Sequence, residues 1–208
     1  MKIKICGLRD PANIRAIAAL KPDMMGFIFY SKSPRFAHPE SLKPAMALIP
    51  DGIQKVGVFV NEKVERVAQT ASELGLDYVQ LHGDETVEEV GFLKKTGLGT
   101  IKVFAVESEQ DLARFDAYSE AVDYFLFDTK TAARGGSGKQ FDWNIIYKYR
   151  FNKPFLLAGG IGAEVISQIA TFSHQDFAGV DANSRLETSP GLKDIGLVSS
   201  FINDIRAL

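Results

Sequence analysis

Two side chains that can exchange protons each stand at the end of a short apolar run. Cys6 ends the run Lys2–Cys6, and Asp128 follows the run Tyr124–Phe127. A thiolate accepts a proton and a carboxylic acid donates one, so the pair is suited to general base and general acid catalysis. Each residue also has a commoner interpretation, a buried inert thiol for Cys6 and a cap or turn residue beside Thr129 for Asp128. Proton transfer therefore requires a fold that brings the ends of both strands together.

The elements that must position them alternate regularly along the chain. Eight mostly continuous apolar runs are typical of strands buried on both faces. These predicted strands are Lys2–Cys6, Met25–Phe29, Lys55–Val60, Tyr78–Leu81, Thr100–Phe104, Tyr124–Phe127, Pro154–Ala158 and Phe177–Val180. Helical spacing of apolar residues predicts helices at Asn13–Leu20, Ser41–Ile49, Glu62–Leu74, Thr86–Lys95, Ser108–Tyr118, Trp143–Tyr149, Ala163–Phe172 and Asp194–Leu208. The second of these is the weakest, because Pro44 interrupts it.

Strict alternation of strands and helices implies a parallel sheet of the α/β class. Eight such units in 208 residues most simply close into a (β/α)8 TIM barrel, a single domain over residues 1–208. The alternative is an open doubly wound sheet, whose usual Gly-rich fingerprint is absent from Gly7-Leu8-Arg9. Active sites of such barrels lie at the C-terminal ends of the strands. The polar residues predicted there are Cys6, Asn61, His82-Gly83-Asp84, Asp128-Thr129-Lys130, Gly159-Gly160 and Asp181, with Arg35 in the loop after the second strand.

Composition narrows the classes of function. A formal net charge of −2 gives no electrostatic case for a nucleic acid or an anionic membrane as partner. No run approaches the roughly 18 apolar residues of a membrane helix, and no charged-then-apolar leader is visible at the N-terminus. With one cysteine, an internal disulfide is impossible, so we expect a cytoplasmic protein. His38, His82 and His174 are too scattered to predict a metal site.

Seven segments, in order along the chain, resemble a known family. They are Lys4-Ile5-Cys6-Gly7-Leu8, Gly26-Phe27-Ile28-Phe29-Tyr30 with Ser33-Pro34-Arg35, Val56-Gly57-Val58-Phe59-Val60-Asn61, Val79-Gln80-Leu81-His82-Gly83-Asp84-Glu85, Asp128-Thr129-Lys130 with Gly135-Gly136-Ser137-Gly138 and Phe141-Asp142-Trp143, Leu157-Ala158-Gly159-Gly160-Ile161, and Gly179-Val180-Asp181. Together they resemble the phosphoribosylanthranilate isomerases. One such segment would be weak, but seven in register cover nearly the whole chain.

The resemblance implies an eight-stranded barrel and an Amadori rearrangement in tryptophan biosynthesis, without a metal or an organic cofactor. It implies that Cys6 is the general base and Asp128 the general acid. A thiol titrates near ~8.5, so a base at neutral pH needs a nearby positive charge, which the sequence does not identify. An acid at neutral pH needs a carboxyl pKa raised by burial or by a neighbouring anion.

The resemblance also assigns residues to parts of a phosphorylated small-molecule substrate. Arg35 matches the arginine that binds the anthranilate carboxylate, a task that suits a guanidinium. His82 is expected to line the site, and Asp181 to contact a sugar hydroxyl or to order the eighth loop. The phosphate is expected beyond strands seven and eight, where Gly159 and Gly160 allow backbone N–H groups to approach it. The segment Gly135-Gly136-Ser137-Gly138 suggests a loop that closes over the substrate, or simply a flexible one.

The chain departs from the family after the eighth strand. The usual Asp-Val-Ser-Ser-Gly-Val-Glu is here Asp181-Ala182-Asn183-Ser184-Arg185-Leu186-Glu187. Ser184 keeps the second serine and remains a candidate phosphate ligand, whereas Arg185 replaces the glycine. We therefore consider two positions for Arg185, on the phosphate or in solvent.

Two other functions stay open on the sequence. The related histidine-pathway sugar isomerase uses aspartates as both acid and base, so Cys6 argues against it. A phosphate-binding barrel without catalysis would need neither Cys6 nor Asp128. The family is usually monomeric, so we expect a monomer, with a dimer as the alternative.

Overall fold

Eight parallel strands form a closed barrel in the order of the sequence. The computed structural model describes residues 1–106, 108–129, 143–150 and 152–208. The strands are β1 (Lys2–Ile5), β2 (Met24–Ile28), β3 (Gln54–Phe59), β4 (Tyr78–Leu81), β5 (Gly99–Val106), β6 (Tyr124–Thr129), β7 (Phe155–Leu157) and β8 (Phe177–Ala182). Each strand pairs with its neighbours in parallel, and β8 pairs with β1 to close the ring. The predicted fold class is confirmed, and the open sheet was the wrong alternative.

Helices connect most of the strands on the outside of the barrel. They are α1 (Pro11–Ala19), α2 (Pro39–Met46), α3 (Val64–Leu74), α4 (Val87–Lys95), α5 (Ile166–Thr171) and α6 (Ile195–Arg206). A short antiparallel pair, β9 (Glu187–Ser189) and β10 (Leu192–Lys193), lies between β8 and α6. Pro44 lies inside α2, in the stretch that the sequence predicted least firmly.

Two of the predicted helices are instead 3-10 helices. The stretch Ser108–Tyr118 forms Glu109–Arg114 and Asp116–Tyr118, and the stretch after β6 forms Trp143–Lys148. Residues three apart eclipse each other in a 3-10 helix, and this spacing aligns the buried side chains of Leu112 and Phe115. The Phe115 ring packs on those of β5 and β6, so tertiary packing overrides helix propensity here.

The strands separate an inner core from an outer one. The inner core fills the barrel with apolar side chains from alternate strand positions, namely Met24, Val56, Ile101, Val103, Leu126, Leu156 and Ala158. On β1, Ile3 and Ile5 belong to the outer core, against the helices. Because side chains alternate across a strand, Lys4 and Cys6 both face the interior. A buried lysine therefore lies directly below the cysteine.

No helix in the described parts of the chain is long and apolar enough to cross a bilayer.

Candidate active site

Cys6 is held at the carboxyl end of β1 with little room around it. Its N–H donates to the Ala182 carbonyl of β8 at 2.9 Å, and the residue is 4% exposed. A Cβ atom added to Gly26 on β2 would lie 2.7 Å from the Cys6 Sγ, so glycine at that position provides the space for the thiol. The next residue, Gly7, has φ 81° and lies between the side chains of Arg35 and Asn183. The chain directly after Cys6 therefore passes between the loops that carry Arg35 and Asn183, on either side of β1.

Asp128 lies near the end of β6, one residue before the strand stops. Like Leu126 two residues earlier, it faces the barrel interior. One oxygen of its half-buried carboxylate lies 3.7 Å from His82 Nε2, at the end of β4. The predicted acid and the predicted lining histidine therefore meet at the barrel mouth, on the side of the ring formed by β4 to β6.

His82 carries a neutral ring at neutral pH. Burial of part of the ring, together with the charges of Lys4 and Lys102, lowers the pKa of His82 to about 4. The side chain keeps 41% of its surface exposed, so solvent screens both lysines. An imidazole with an unshifted pKa, near ~6.5, is already mostly neutral at pH 7. The ring is therefore neutral whether its pKa is lowered by much or by little. His82 can therefore give one hydrogen bond and accept another.

Beneath the thiol lies a buried ion pair that crosses the β1–β8 seam. Lys4 Nζ lies 2.8 Å from Asp181 Oδ2, and the two side chains are 0% and 8% exposed. Burial lowers the pKa of Lys4, but its interactions with neighbouring groups, the Asp181 carboxylate first, outweigh burial and raise the pKa. Burial raises the pKa of Asp181, which Lys4 only partly offsets. The second oxygen, Oδ1, is buried without a hydrogen-bond partner among the described residues. Such an atom is costly unless a bound molecule donates to it.

The Cys6 thiol is protonated in the free protein. Burial raises its pKa, and the Asp181 carboxylate adds to the effect. Lys4 and Lys193 act in the opposite direction, with Lys4 the stronger. The positive charges that the sequence could not identify are therefore these two buried lysines.

Lys193 connects the thiol with the Arg35 loop. Its Nζ donates to Glu187 Oε1 at 2.7 Å and to Asn183 Oδ1 at 2.7 Å. Glu187 also receives the Arg35 fork, through Nε at 3.0 Å and Nη2 at 2.7 Å. Burial raises the pKa of Glu187, but the bonds from Arg35 and Lys193 outweigh it and lower the pKa. Arg35 is thus oriented by a carboxylate of the chain itself, and its Nη1 makes no hydrogen bond among the described residues.

The loops after β7 and β8 touch at the predicted phosphate region. Gly159 and Gly160 have φ 83° and 72°, a left-handed conformation that favours glycine. Ser184 is exposed at the start of the 3-10 helix Ser184–Leu186. Arg185 is about half exposed, and its Nε lies 3.0 Å from Oε1 of Glu164, which is exposed to a similar extent. This ion pair links the two loops.

A second buried ion pair supports the loop that carries His82. Lys102 Nζ lies 3.0 Å from Glu85 Oε2 and donates to the Gly83 carbonyl at 2.7 Å. The Glu85 carboxylate accepts the N–H groups of Asn61 and Gly83. The loops after β3 and β4 are therefore fixed on either side of His82.

Sequence reasoning did not single out the buried charges that surround the candidate site, namely Lys4, Lys193, Glu187 and the Lys102–Glu85 pair. A signal existed for Lys4 and Lys102, because a lysine inside an apolar strand is rarely buried unless it is paired. Lys130, Gly135-Gly136-Ser137-Gly138 and Phe141-Asp142 lie outside the described residues. Among the described residues no group of three or more His, Cys, Asp or Glu side chains could hold a metal ion.

An eight-stranded parallel barrel with a thiol, a carboxylate and a neutral imidazole at its carboxyl end is the architecture of an enzyme that moves protons on a small substrate. Comparisons with known proteins make this specific. The sequence profile described as N-(5'-phosphoribosyl)anthranilate (PRA) isomerase matches residues 3–204. The chain belongs to the N-(5'-phosphoribosyl)anthranilate isomerase family, and it is an isomerase of tryptophan biosynthesis. This membership decides against the histidine-pathway relative.

Individual relatives agree over the full length. The N-(5'-phosphoribosyl)anthranilate isomerase of Phocaeicola vulgatus is 47% identical over 99% of this chain and 98% of its own, and that of Parabacteroides distasonis is 46% identical over 99% and 93%. The structure of the Thermotoga maritima isomerase matches with a TM-score of 0.90 at 36% identity, covering both chains completely. A phosphoribosyl anthranilate isomerase in complex with reduced 1-(o-carboxyphenylamino)-1-deoxyribulose 5-phosphate matches with a TM-score of 0.87 at 31% identity, again over both whole chains.

Proposed function

We propose that this chain converts N-(5'-phosphoribosyl)anthranilate into 1-(2-carboxyphenylamino)-1-deoxyribulose 5-phosphate, with Cys6 as general base and Asp128 as general acid. The observation that carries the proposal is the position of a thiol and a carboxylate on interior faces of β1 and β6, at the same end of one barrel. The relative solved with a reduced form of this product adds support for a phosphorylated ligand. The chemistry needs neither a metal nor an organic cofactor.

The reaction needs two proton transfers that balance each other. Asp128 gives a proton to the furanose ring oxygen, the C1–O bond breaks, and the ring opens to an imine at C1. The Cys6 thiolate then removes the proton from C2, and the C–H electron pair forms the C1=C2 bond of an enolamine. The enolamine becomes the ketone by taking a proton at C1 and losing one from the C2 hydroxyl. Each turnover leaves Asp128 ionised and Cys6 protonated, so one proton must return from the thiol side to the acid side.

Each polar group around the barrel mouth binds a different part of the substrate. Arg35 faces the carboxylate of the anthranilate ring, a contact for which its Nη1 has donors to spare. The buried Asp181 Oδ1 lacks a donor among the described residues, and a sugar hydroxyl would supply one. His82 borders the acid and can bond to the hydroxyls next to the reacting carbons. The phosphate belongs to Gly159, Gly160 and Ser184, whose backbone N–H groups can reach it without a basic side chain.

Substitution of the acid and the base tests the proposal directly. Turnover of Cys6→Ala should fall by at least the ~10²–10⁴-fold of a positioned general base, because no other thiol exists in the chain. Asp128→Asn keeps the shape and removes the transferable proton, so its turnover should also collapse while a product analogue still binds. The assay follows the loss of phosphoribosylanthranilate fluorescence, and circular dichroism confirms the fold of each variant. Near-wild-type turnover by folded Cys6→Ala would sink the assignment of the base.

Turnover also separates catalysis from mere binding. If the barrel only bound phosphate, the wild type and both variants would bind the product analogue, and none of the three would convert the substrate. If the protein is an enzyme, the wild type converts the substrate, and the two variants lose turnover but still bind the product analogue. Wild-type protein that binds the analogue but never releases product would contradict the proposed function.

A further inference from the structure

The interior of the barrel below Cys6 is more highly charged than a sugar isomerase requires for binding alone. Lys4 is fully buried on the same face of β1 as Cys6, its ammonium donates to Asp181 Oδ2 at 2.8 Å, and it interacts electrostatically with the Cys6 side chain. Burying a lysine is costly unless its charge is compensated. An apolar side chain would fill the space below the thiol at lower cost. The lysine is therefore retained for something other than packing.

A base made from a buried thiol has a specific difficulty. The enzyme needs the thiolate, but burial and the Asp181 charge favour the thiol. General base catalysis is most efficient when the pKa of the base lies near the working pH. A cation that contacts the sulfur moves the thiol in that direction. Lys4 is the strongest such group around Cys6, and Lys193, whose own ammonium is bound to Glu187 and Asn183, acts more weakly.

We propose that Lys4 is a positioning residue for the reaction: its ammonium, fixed by Asp181, stabilises the Cys6 thiolate and so makes the general base available. The proposal rests on the base role proposed for Cys6. Asp181 has two opposing effects in this arrangement. It orients the ammonium toward the thiol, and it also takes up part of the positive charge. The ion pair thereby sets how readily Cys6 ionises.

The other charged and titratable groups at this end of the barrel lie on several elements. They are Lys193 on β10, Glu187 on β9, Arg35 after β2, His82 after β4 and Asp128 on β6. Each of them is unchanged in the variants below. A change in Cys6 titration therefore reports the Lys4–Asp181 pair.

The experiment measures the titration of Cys6 itself. Because the chain has one cysteine, protein made with isotope-labelled cysteine gives one side-chain NMR resonance, whose shift with pH reads the ionisation of this thiol without substrate. Lys4→Met keeps the length of the side chain and removes the charge. It should move the midpoint to higher pH by roughly 1–3 units, the effect of an opposite charge within a few ångströms. Asp181→Asn should move it to lower pH, since Lys4 then keeps its full charge for the sulfur.

Two further variants make the result decisive. Lys102→Met removes another buried, paired lysine and should leave the Cys6 midpoint unchanged, because Lys102 is bound to Glu85 on the other side of the strands. If Lys4→Met alone fails to fold, the double variant Lys4→Met/Asp181→Asn carries no unpaired carboxylate. Compared with Asp181→Asn, it should titrate at higher pH.

Equal midpoints in wild type and Lys4→Met, or in Asp181→Asn and the double variant, would overturn the proposal. Shifts of the same sign in Lys4→Met and Asp181→Asn would overturn it as well, because a merely structural disturbance gives that pattern. The thiol-dependent limb of the kcat/KM profile should move with the NMR midpoint in Lys4→Met. Failure of the base role is read separately, from the turnover of Cys6→Ala.

Discussion

At the scale of single residues, Arg35 shows how a site residue is prepared before substrate arrives. By resemblance, the sequence predicts that Arg35 meets the substrate carboxylate. Its guanidinium also bonds Glu187 through two nitrogens, and Lys193 holds Glu187 in turn. Such a fixed fork loses little entropy on binding, which favours recognition of a carboxylate.

We expect Arg35→Ala to raise KM more than it lowers kcat, because a contact made equally in the ground and transition states contributes to binding alone. The KM of Arg35→Lys should lie between those of the wild type and Arg35→Ala, since lysine keeps the charge but loses the planar fork. Steady-state kinetics with the substrate and with an analogue that lacks the ring carboxylate provide the measurement. Equal sensitivity of both compounds to Arg35→Ala would show that Arg35 is not the carboxylate partner.

Arg185 replaces the glycine of the usual family motif and already has a partner in Glu164. An exposed ion pair of this kind contributes little to stability. If Arg185 exchanges Glu164 for the substrate phosphate, Arg185→Gly should weaken substrate binding by roughly 1–3 kcal/mol, the scale of a hydrogen bond to a charged group. Inhibition by inorganic phosphate should weaken in parallel.

Glu164→Gln is the matched control for that experiment. It removes the competing carboxylate and leaves Arg185 charged, so phosphate should inhibit this variant at least as strongly as the wild type. If both substitutions leave KM and phosphate inhibition within error, Arg185 only links the loops after β7 and β8.

At the scale of elements, one aspartate joins each of three strand pairs at the N-terminal face. Asp23, Asp77 and Asp123 each precede an even-numbered strand and accept the N–H of the residue opposite, Ile3, Lys55 and Thr100 respectively, at 2.7–2.9 Å. The fourth pair has the same aspartate, Asp176, before β8. The residue opposite it is Pro154, as the pairing of Phe155 with Phe177 shows.

Proline has no N–H, and this accounts for the Asp176 Oδ2, which is buried without a hydrogen-bond partner among the described residues. We expect Pro154→Val to raise the free energy of unfolding by about 1 kcal/mol. The new hydrogen bond to a charged group contributes about 1.5–3 kcal/mol, and the extra freedom of the unfolded chain costs about 0.4–1 kcal/mol. Urea unfolding followed by circular dichroism measures the difference.

In an Asp176→Ala background, the backbone N–H that Pro154→Val introduces has no carboxylate to bond. There, Pro154→Val should be destabilising, since only the entropy term remains. A gain of stability in both backgrounds would refute the hydrogen bond as its cause.

At the scale of the whole molecule, the closed ring explains why groups from distant parts of the sequence share one site. Cys6 and Asp181 are 175 positions apart, and the β1–β8 pairing that closes the barrel brings them together. The site is therefore complete within one chain as far as the described residues extend. Nothing in the proposed chemistry requires a second copy.

We accordingly expect a monomer in solution. Light scattering coupled to size exclusion should give a mass near 22.9 kDa, with turnover per chain independent of protein concentration. A Thermotoga maritima structure, 32% identical with a TM-score of 0.87, is described as monomers generated from a dimeric isomerase. A mass twice the chain mass would show that this protein also associates.

The sequence by itself determined the order of the elements and the residues at their ends. All eight strands were predicted close to their observed bounds, because strands buried on both faces are apolar throughout and leave a strong local signal. The predicted strand bounds also placed Cys6, His82 and Asp128 at strand ends, and the structure has these residues there. Helices were predicted less well, since the 3-10 geometry of Glu109–Arg114 depends on where Phe115 packs.

Only the tertiary structure decided the partners of the charged groups. Lys4 and Asp181, Arg35 and Glu187, and Arg185 and Glu164 come from different ends of the sequence or from different loops, and no local pattern links them. Electrostatic interactions depend on distance and burial in space, so the sequence can indicate that Lys4 needs a partner but cannot identify that partner. Lys4 becomes the strongest positive influence on the thiol once β8 closes against β1 and excludes water from both.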